Sequence, residues 1–153
     1  MADTTDFASQ IREMPPGWVQ AMGIEITSAG EDEVRAEWTV AEHHLQGYGI
    51  VHGGVHCGVI ETLASTGAAI WAYRKGLGVV GLENHTSFLR AVRAGTRLRA
   101  VAIPLQRGRR AQVWQGDIFD EEDRLVATGR VRLICIEEGA PLAGRPLDRG
   151  GQR

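Results

Sequence analysis

Between Glu42 and Arg74 the chain carries a single charged side chain, Glu61. The stretch around it, from Gly53 to Tyr73, contains no proline, opens on Gly53-Gly54 and is followed by Lys75-Gly76. That pattern predicts one helix of about 20 residues, roughly 30 Å long. Beyond Gly76 the chain reads as strands at 78–90, 96–105, 111–119 and 124–136, broken only by Ala94-Gly95, Arg107-Gly108-Arg109-Arg110 and Asp120-Glu121-Glu122-Asp123. Such short breaks predict antiparallel neighbours. Before the helix, Pro15-Pro16-Gly17 leads into a helical turn over 18–22, and Ile24–Thr27 reads as a short strand. Residues 33–40 alternate, with Val34, Ala36, Trp38 and Val40 on one face. One long helix among six strands has a compact solution, an antiparallel sheet curled around the helix, so the expected class is α+β.

Composition sets the outer limits. The 153 residues are 43% hydrophobic and 24% charged, values of an ordinary folded domain. A domain over 15–137 is expected, flanked by flexible segments at 1–14 and 138–153. With 17 basic against 19 acidic residues and no basic run, nucleic-acid binding is disfavoured. Cys57 and Cys135 form no CxxC, and the five histidines show no metal-ligand spacing, so neither a disulfide framework nor a metal site is expected. The N-terminus lacks the apolar core of a signal peptide, and Glu61 interrupts the most apolar stretch, which argues against a membrane span. The expectation is a cytoplasmic protein.

On a helical wheel Val55, Val59, Ile60, Leu63, Ile70 and Trp71 share one arc, the expected sheet-facing side. Gly58, Glu61, Ser65, Ala68, Ala69 and Ala72 share the other. Small residues let a second backbone approach closely, and no other long helix exists in the sequence. The expected partner is the same helix of a second subunit. On such a face Glu61 is anomalous: desolvating a carboxylate costs several kcal/mol. It is either an ion-pairing group at the interface or a nucleophile or general base. Upstream, Gln46-Gly47-Tyr48-Gly49-Ile50-Val51-His52-Gly53-Gly54 places two glycines where the helix begins. Free N–H groups there, unobstructed by side chains, suit an oxyanion hole. The glycines alone, or His52 alone, would be weak signals; joined to Glu61 eight residues after Gly53 they point to one site.

Val51-His52-Gly53-Gly54-Val55 followed by Glu61-Thr62-Leu63-Ala64-Ser65 resembles the motif of hotdog-fold acyl-CoA thioesterases, a PaaI-like superfamily. The resemblance spans about residues 18–136. Asn84-His85-Thr86-Ser87-Phe88 is also similar to the Arthrobacter-type 4-hydroxybenzoyl-CoA thioesterase branch. Val79-Val80-Gly81-Leu82-Glu83 and Gln112-Val113-Trp114-Gln115 are similar to the menaquinone-pathway 1,4-dihydroxy-2-naphthoyl-CoA thioesterases and their enterobactin proofreading relatives. The resemblance implies a catalytic Glu61, a Gly53 N–H that polarises the thioester carbonyl, a Gln46 near the thioester, a supporting His52 and, at the family's Thr position, Ser65. It implies CoA contacts at Arg90, Gly108, Arg109 and Arg110, although the family branch favours hydroxyl residues in that loop; a plain solvated turn is the alternative. Tyr48, Trp71 and Phe88 are candidates for an acyl pocket or ordinary core.

The implied function is hydrolysis of an acyl-CoA, with an aromatic acyl group expected and with no metal or redox cofactor; CoA is part of the substrate. A homodimer with shared active sites, assembling further to a tetramer, is expected. The alternatives are a hotdog acyl-thioester dehydratase, whose motif differs, and a non-catalytic acyl-CoA sensor, which would have little use for Glu61.

Overall fold

The computed structural model describes residues 6–147. Helix α1 covers Ala8–Arg12, α2 Trp18–Ala21 and α3 Gly53–Tyr73. The strands are β1 (Glu25–Ala29), β2 (Val34–Thr39), β3 (Leu77–Phe88), β4 (Arg97–Arg107), β5 (Ala111–Phe119), β6 (Leu125–Glu137), β7 (Pro141–Leu142) and β8 (Arg145–Pro146). The first six form one antiparallel sheet in the order β1-β2-β4-β5-β6-β3, curled around α3 in the hotdog arrangement. Among the described residues no helix is long and apolar enough to cross a membrane.

The core lies where α3 meets the sheet, with Val55, Val59, Ile60 and Leu63 buried alongside Leu98, Trp114, Ile118, Val131 and Leu133. Glycines set how closely the two layers approach. A Cβ on Gly67 of the helix would lie 2.3 Å from the Trp114 ring, and one on Gly116 of β5 would lie 2.8 Å from Ile60. Trp114 and Gln112, two of the residues behind the family resemblance, are core parts: Trp114 Nε1 donates to Gln112 Oε1 at 2.9 Å, and Gln112 Nε2 to the Ala68 carbonyl at 3.3 Å.

Two expectations need correction. The short break at Ala94-Gly95 predicted that β3 and β4 are neighbours. Instead β2 and β5 occupy both edges of β4, so β3 pairs with the free edge of β6. The eight residues between β3 and β4 can span about 26 Å, enough to cross the sheet. Next, the two-arc division of α3 is too simple. Ala68 and Ala72 are buried in this chain's own core, Trp18 of α2 covers Gly58, and Ile70 and Trp71 are only half-buried. A sheet that curls round a helix covers more than half of its circumference. The open face narrows to Glu61, Thr62, Ser65 and Ala69.

The described parts of the segments flanking 15–137 contain α1 on one side and β7 and β8 on the other. The Asp6 carboxylate accepts from the Ala8 and Ala29 N–H groups at 2.9 and 2.8 Å, which hold its carboxyl below the usual carboxylate range and tie α1 to β1. After β6, β7 and β8 form a small hairpin whose turn has positive φ at Ala143 and Gly144. Leu147 then covers Gly78. Neither segment shows apolar alternation, because local hydrogen bonds and turn geometry build them rather than a buried face. Residues 1–5 and 148–153 of the expected flexible segments lie outside the described residues.

Candidate active site

Helix α3 starts under the control of His52. This N-cap residue has extended backbone and accepts the Gly54 N–H on Nδ1 at 2.9 Å; the Val55 N–H goes to its carbonyl at 2.9 Å. Accepting on Nδ1 places any ring proton of neutral His52 on Nε2. The Gly53 N–H has no partner among the described residues. It is a free donor at the positive end of the helix dipole. Both glycines also let a neighbouring side chain lie close to the helix start. A Cβ on Gly53 would lie 2.7 Å from the Phe88 ring, and one on Gly54 2.9 Å from His52 Nδ1.

Glu61 stands two turns further along, half-buried. Its Oε1 accepts from Ser65 Oγ at 3.2 Å and its Oε2 from Asn84 Nδ2 at 3.2 Å. The same Asn84 Nδ2 lies 3.1 Å from the Cys57 carbonyl, and Asn84 Oδ1 accepts from Thr86 Oγ1 at 2.6 Å. The carboxylate is thus oriented from its own helix and from β3. Gly81 makes room for it: a Cβ there would sit 2.4 Å from Glu61 Oε1. No basic side chain pairs with Glu61 among the described ion pairs.

A cavity of about 300 Å³ opens at the start of α3, lined by Gln46, Ile50, Val51, Gly53, His56, Phe88, Leu89, Arg90 and Ala91. It joins three of the residues expected at a site: Gln46, Gly53 and Arg90. The Gln46 side-chain oxygen is turned back on its own loop, accepting the Tyr48 N–H at 2.6 Å. Phe88 faces this cavity, whereas Tyr48 is exposed and lines no described cavity.

A larger cavity, about 650 Å³, lies at the other end of α3 and is lined by Trp71, Lys75, Gly76, Leu77, Arg107, Arg109 and Glu137. Lys75 Nζ sits 4.4 Å from the centre of the Trp71 ring. Arg109 and Arg110 are exposed on the β4–β5 turn beside Gly108, whose N–H donates to the Ala111 carbonyl at 2.9 Å. Arg90 and Arg109 therefore belong to opposite ends of the helix, whose residues Gly53 and Trp71 lie about 27 Å apart along the axis. One chain does not bring the four expected CoA contacts together.

Asn84 and Gly81, beside the Glu61 carboxylate, and His56, on the cavity at the start of α3, are positions that sequence reasoning does not single out. Asn84 lies within a stretch that carries the resemblance, but strand periodicity does not say which side chain faces a helix residue 23 positions away. His56 enters the sequence reading only as one of the histidines that show no metal-ligand spacing. His43 and His44 stay outside the site; buried His44 accepts the Ala41 N–H on Nδ1 at 2.9 Å and lies 2.8 Å from the Met22 carbonyl through Nε2.

Comparison with known proteins bears on this arrangement directly. A family profile described as "Thioesterase superfamily" matches residues 48–127, which include the whole of α3 and β3. The Mycobacterium tuberculosis protein Rv1847, named as an esterase, is 44% identical over 118 residues, 76% of this chain and 84% of its own. The proofreading thioesterase EntH of Cronobacter turicensis is 39% identical over 118 residues, 77% of this chain and 85% of its own. The crystal structure of the thioesterase HI1161 from Haemophilus influenzae superimposes with a TM-score of 0.72 at 39% identity, covering 78% of this chain and 82% of that one. On fold, profile and relatives together, the chain belongs to the thioesterase superfamily.

Proposed function

We propose that this enzyme hydrolyses an acyl-CoA thioester, with an aromatic acyl group, to the free acid and CoA. The observation that carries the reading is the oriented Glu61 carboxylate on the open face of α3, without a cationic partner, combined with a free Gly53 N–H. In the proposed reaction Gly53 polarises the thioester carbonyl. Either Glu61 takes a proton from water as the water oxygen attacks the carbonyl carbon and passes that proton to sulfur as the C–S bond breaks, or it attacks the carbon itself, expels the thiolate and forms a mixed anhydride. Water then hydrolyses the anhydride, giving the free acid, restoring Glu61 and supplying the proton that makes the thiolate the CoA thiol. Ser65 and Asn84 keep the carboxylate aimed, His52 fixes the first turn of the helix, and Gln46 borders the thioester. This chemistry needs neither a metal nor a redox cofactor, and it suits the cytoplasm, where acyl-CoA is made.

Gly53 and Glu61 lie eight residues apart, about 12 Å along the axis. A thioester must touch both, within about 3 Å of each. An antiparallel α3 from a second subunit brings the partner's Glu61 beside this chain's Gly53. The free edge of β3, which exposes Leu82 and Phe88, supports such a two-fold partner, and further assembly to a tetramer is compatible with it. The same pairing supports a CoA site shared between chains, with Arg90 from one subunit and Gly108, Arg109 and Arg110 from the other. The test is thiol release from benzoyl-CoA. Glu61→Gln, which keeps size and hydrogen bonding, is expected to lower kcat by roughly two orders of magnitude or more; near-normal turnover would refute the role. After subunit exchange, a mixture of Glu61→Ala with an inactive Gln46 variant is expected to regain part of the activity. No recovery would mean that each site lies within one chain.

A further inference from the structure

Two side-chain polar atoms among the described residues are fully enclosed and have no hydrogen-bond partner, Trp38 Nε1 and His56 Nδ1. His56 is the more telling. It sits on α3 three residues after Gly53, is 3% exposed, and borders the same cavity as Gly53 and Gln46. The other buried histidine shows what a merely structural imidazole looks like here: both nitrogens of His44 are engaged. The helix positions around His56 that face the core are aliphatic, namely Val55, Val59, Ile60 and Leu63. Leaving a polar group unpaired in such surroundings costs about 1–3 kcal/mol, which a leucine would avoid.

The ring's chemistry is set by its surroundings. Burial pushes the His56 pKa down to about 4, so the imidazole is neutral near pH 7 and carries one proton. Nδ1 is enclosed and faces no acceptor. An N–H without an acceptor is a rarer feature of protein interiors than an unfilled lone pair, so the proton resides on Nε2. That leaves an Nε2–H donor as the only ring group able to serve a ligand. The cavity otherwise offers an apolar body from Ile50, Val51, Phe88, Leu89 and Ala91, and one exposed cation, Arg90. About 300 Å³ is at the small end of ligand pockets and suits a compact apolar group rather than a whole CoA.

We propose that His56 is a specificity-determining residue whose Nε2–H donates to an oxygen substituent on the acyl group, so that the enzyme favours ring-hydroxylated acyl groups over the bare ring. The proposal rests on the acyl-CoA reading above and names the feature of the acyl group that the site reads. It assigns the thioester carbonyl to Gly53 and the ring substituent to His56, two groups on one cavity.

The test compares kcat/KM for benzoyl-CoA with the 2-, 3- and 4-hydroxybenzoyl-CoA isomers. Wild type is expected to prefer at least one hydroxyl isomer by 10-fold or more. His56→Phe, which keeps a flat ring without the donor, is expected to lose 10- to 100-fold on that isomer and less than about 3-fold on benzoyl-CoA. His56→Gln, which retains a donor, is expected to recover part of the preference. Equal loss on every substrate would assign His56 to the reaction centre or to folding and overturn the proposal, as would the absence of any hydroxyl preference in wild type. Turnover of benzoyl-CoA by wild type separates these failures from failure of the acyl-CoA reading itself. A measurement on unmutated protein guards against a variant that does not fold. With a non-hydrolysable thioether analogue of the preferred acyl-CoA, the ¹⁵N and ¹H resonances of His56 Nε2–H should move downfield relative to the benzoyl analogue, and identical shifts would count against the contact.

Discussion

Replacing Gly81 by alanine should disable the enzyme while leaving it folded. Gly81 lies on the exposed edge strand β3, and its φ is outside the positive region, so alanine fits its backbone. The new methyl group would sit 2.4 Å from Glu61 Oε1, whereas ordinary contact begins near 3.4 Å. The carboxylate must therefore withdraw by about 1 Å, and the end of a flexible side chain can do so at little cost to stability. Withdrawal lengthens the contacts to Ser65 Oγ and Asn84 Nδ2, both already 3.2 Å. Misplacing a reacting group by about 1 Å can cost on the order of 100-fold in rate. We expect kcat on benzoyl-CoA, followed by thiol release, to fall by about that factor. Urea unfolding should change by less than about 1 kcal/mol, and the size-exclusion profile should not change. The effect should also vanish on a Glu61→Gln background, because two changes that act through one carboxylate are not additive. A Gly81→Ala enzyme with kcat within twofold of wild type would show that catalysis does not use the carboxylate position held by β3.

The remaining predictions concern charge. Replacing Arg109 and Arg110 together by alanine should raise KM for acyl-CoA with kcat nearly unchanged, since a phosphate contact is made equally in the ground and transition states, and the effect should shrink as salt rises; an unchanged KM at low salt would return the loop to a solvated turn. Burial lowers the His56 pKa from 6.5 in the unfolded chain to about 4 when folded, so the unfolded state binds the extra proton. The stability due to neutral His56 is complete above pH 6.5 and is lost as pH falls toward 4. At about pH 4.5 wild type should have lost roughly 2 to 3 kcal/mol more than His56→Phe, read by urea unfolding at one fixed protein concentration; parallel pH profiles would contradict the buried, neutral imidazole.

Local pattern made much of the molecule legible in the sequence. The proline-free run after Gly53-Gly54 marked α3, and alternation marked β2, because the periods of helix and strand are imposed by backbone geometry and leave their trace in consecutive residues. Glu61 stood out for the same reason: one charge among small and apolar residues on a helix face is visible without any structure. The N-cap at His52 and the strands β4, β5 and β6 also arise from residues near one another in the chain. These features, with the motif resemblance, were enough to define the fold class and to single out Glu61 and Gly53 as candidates.

What only the tertiary structure decided is which distant residues meet. The order of strands depends on which sheet edges are already filled, so the placement of β3 beside β6 rather than β4 is not written in the loop between β3 and β4. From that placement come Asn84 on the Glu61 carboxylate, Gly81 making room beneath it and Phe88 against Gly53. The curl of the sheet buried Ala68 and Ala72, which a helical wheel left open, because coverage depends on what surrounds a helix and not on the helix alone. His56 reads as one more residue of a buried helix until the cavity beside it and the lack of a partner for Nδ1 come into view. Hydrogen-bond satisfaction is a property of three-dimensional neighbours, and a one-dimensional pattern carries no record of it.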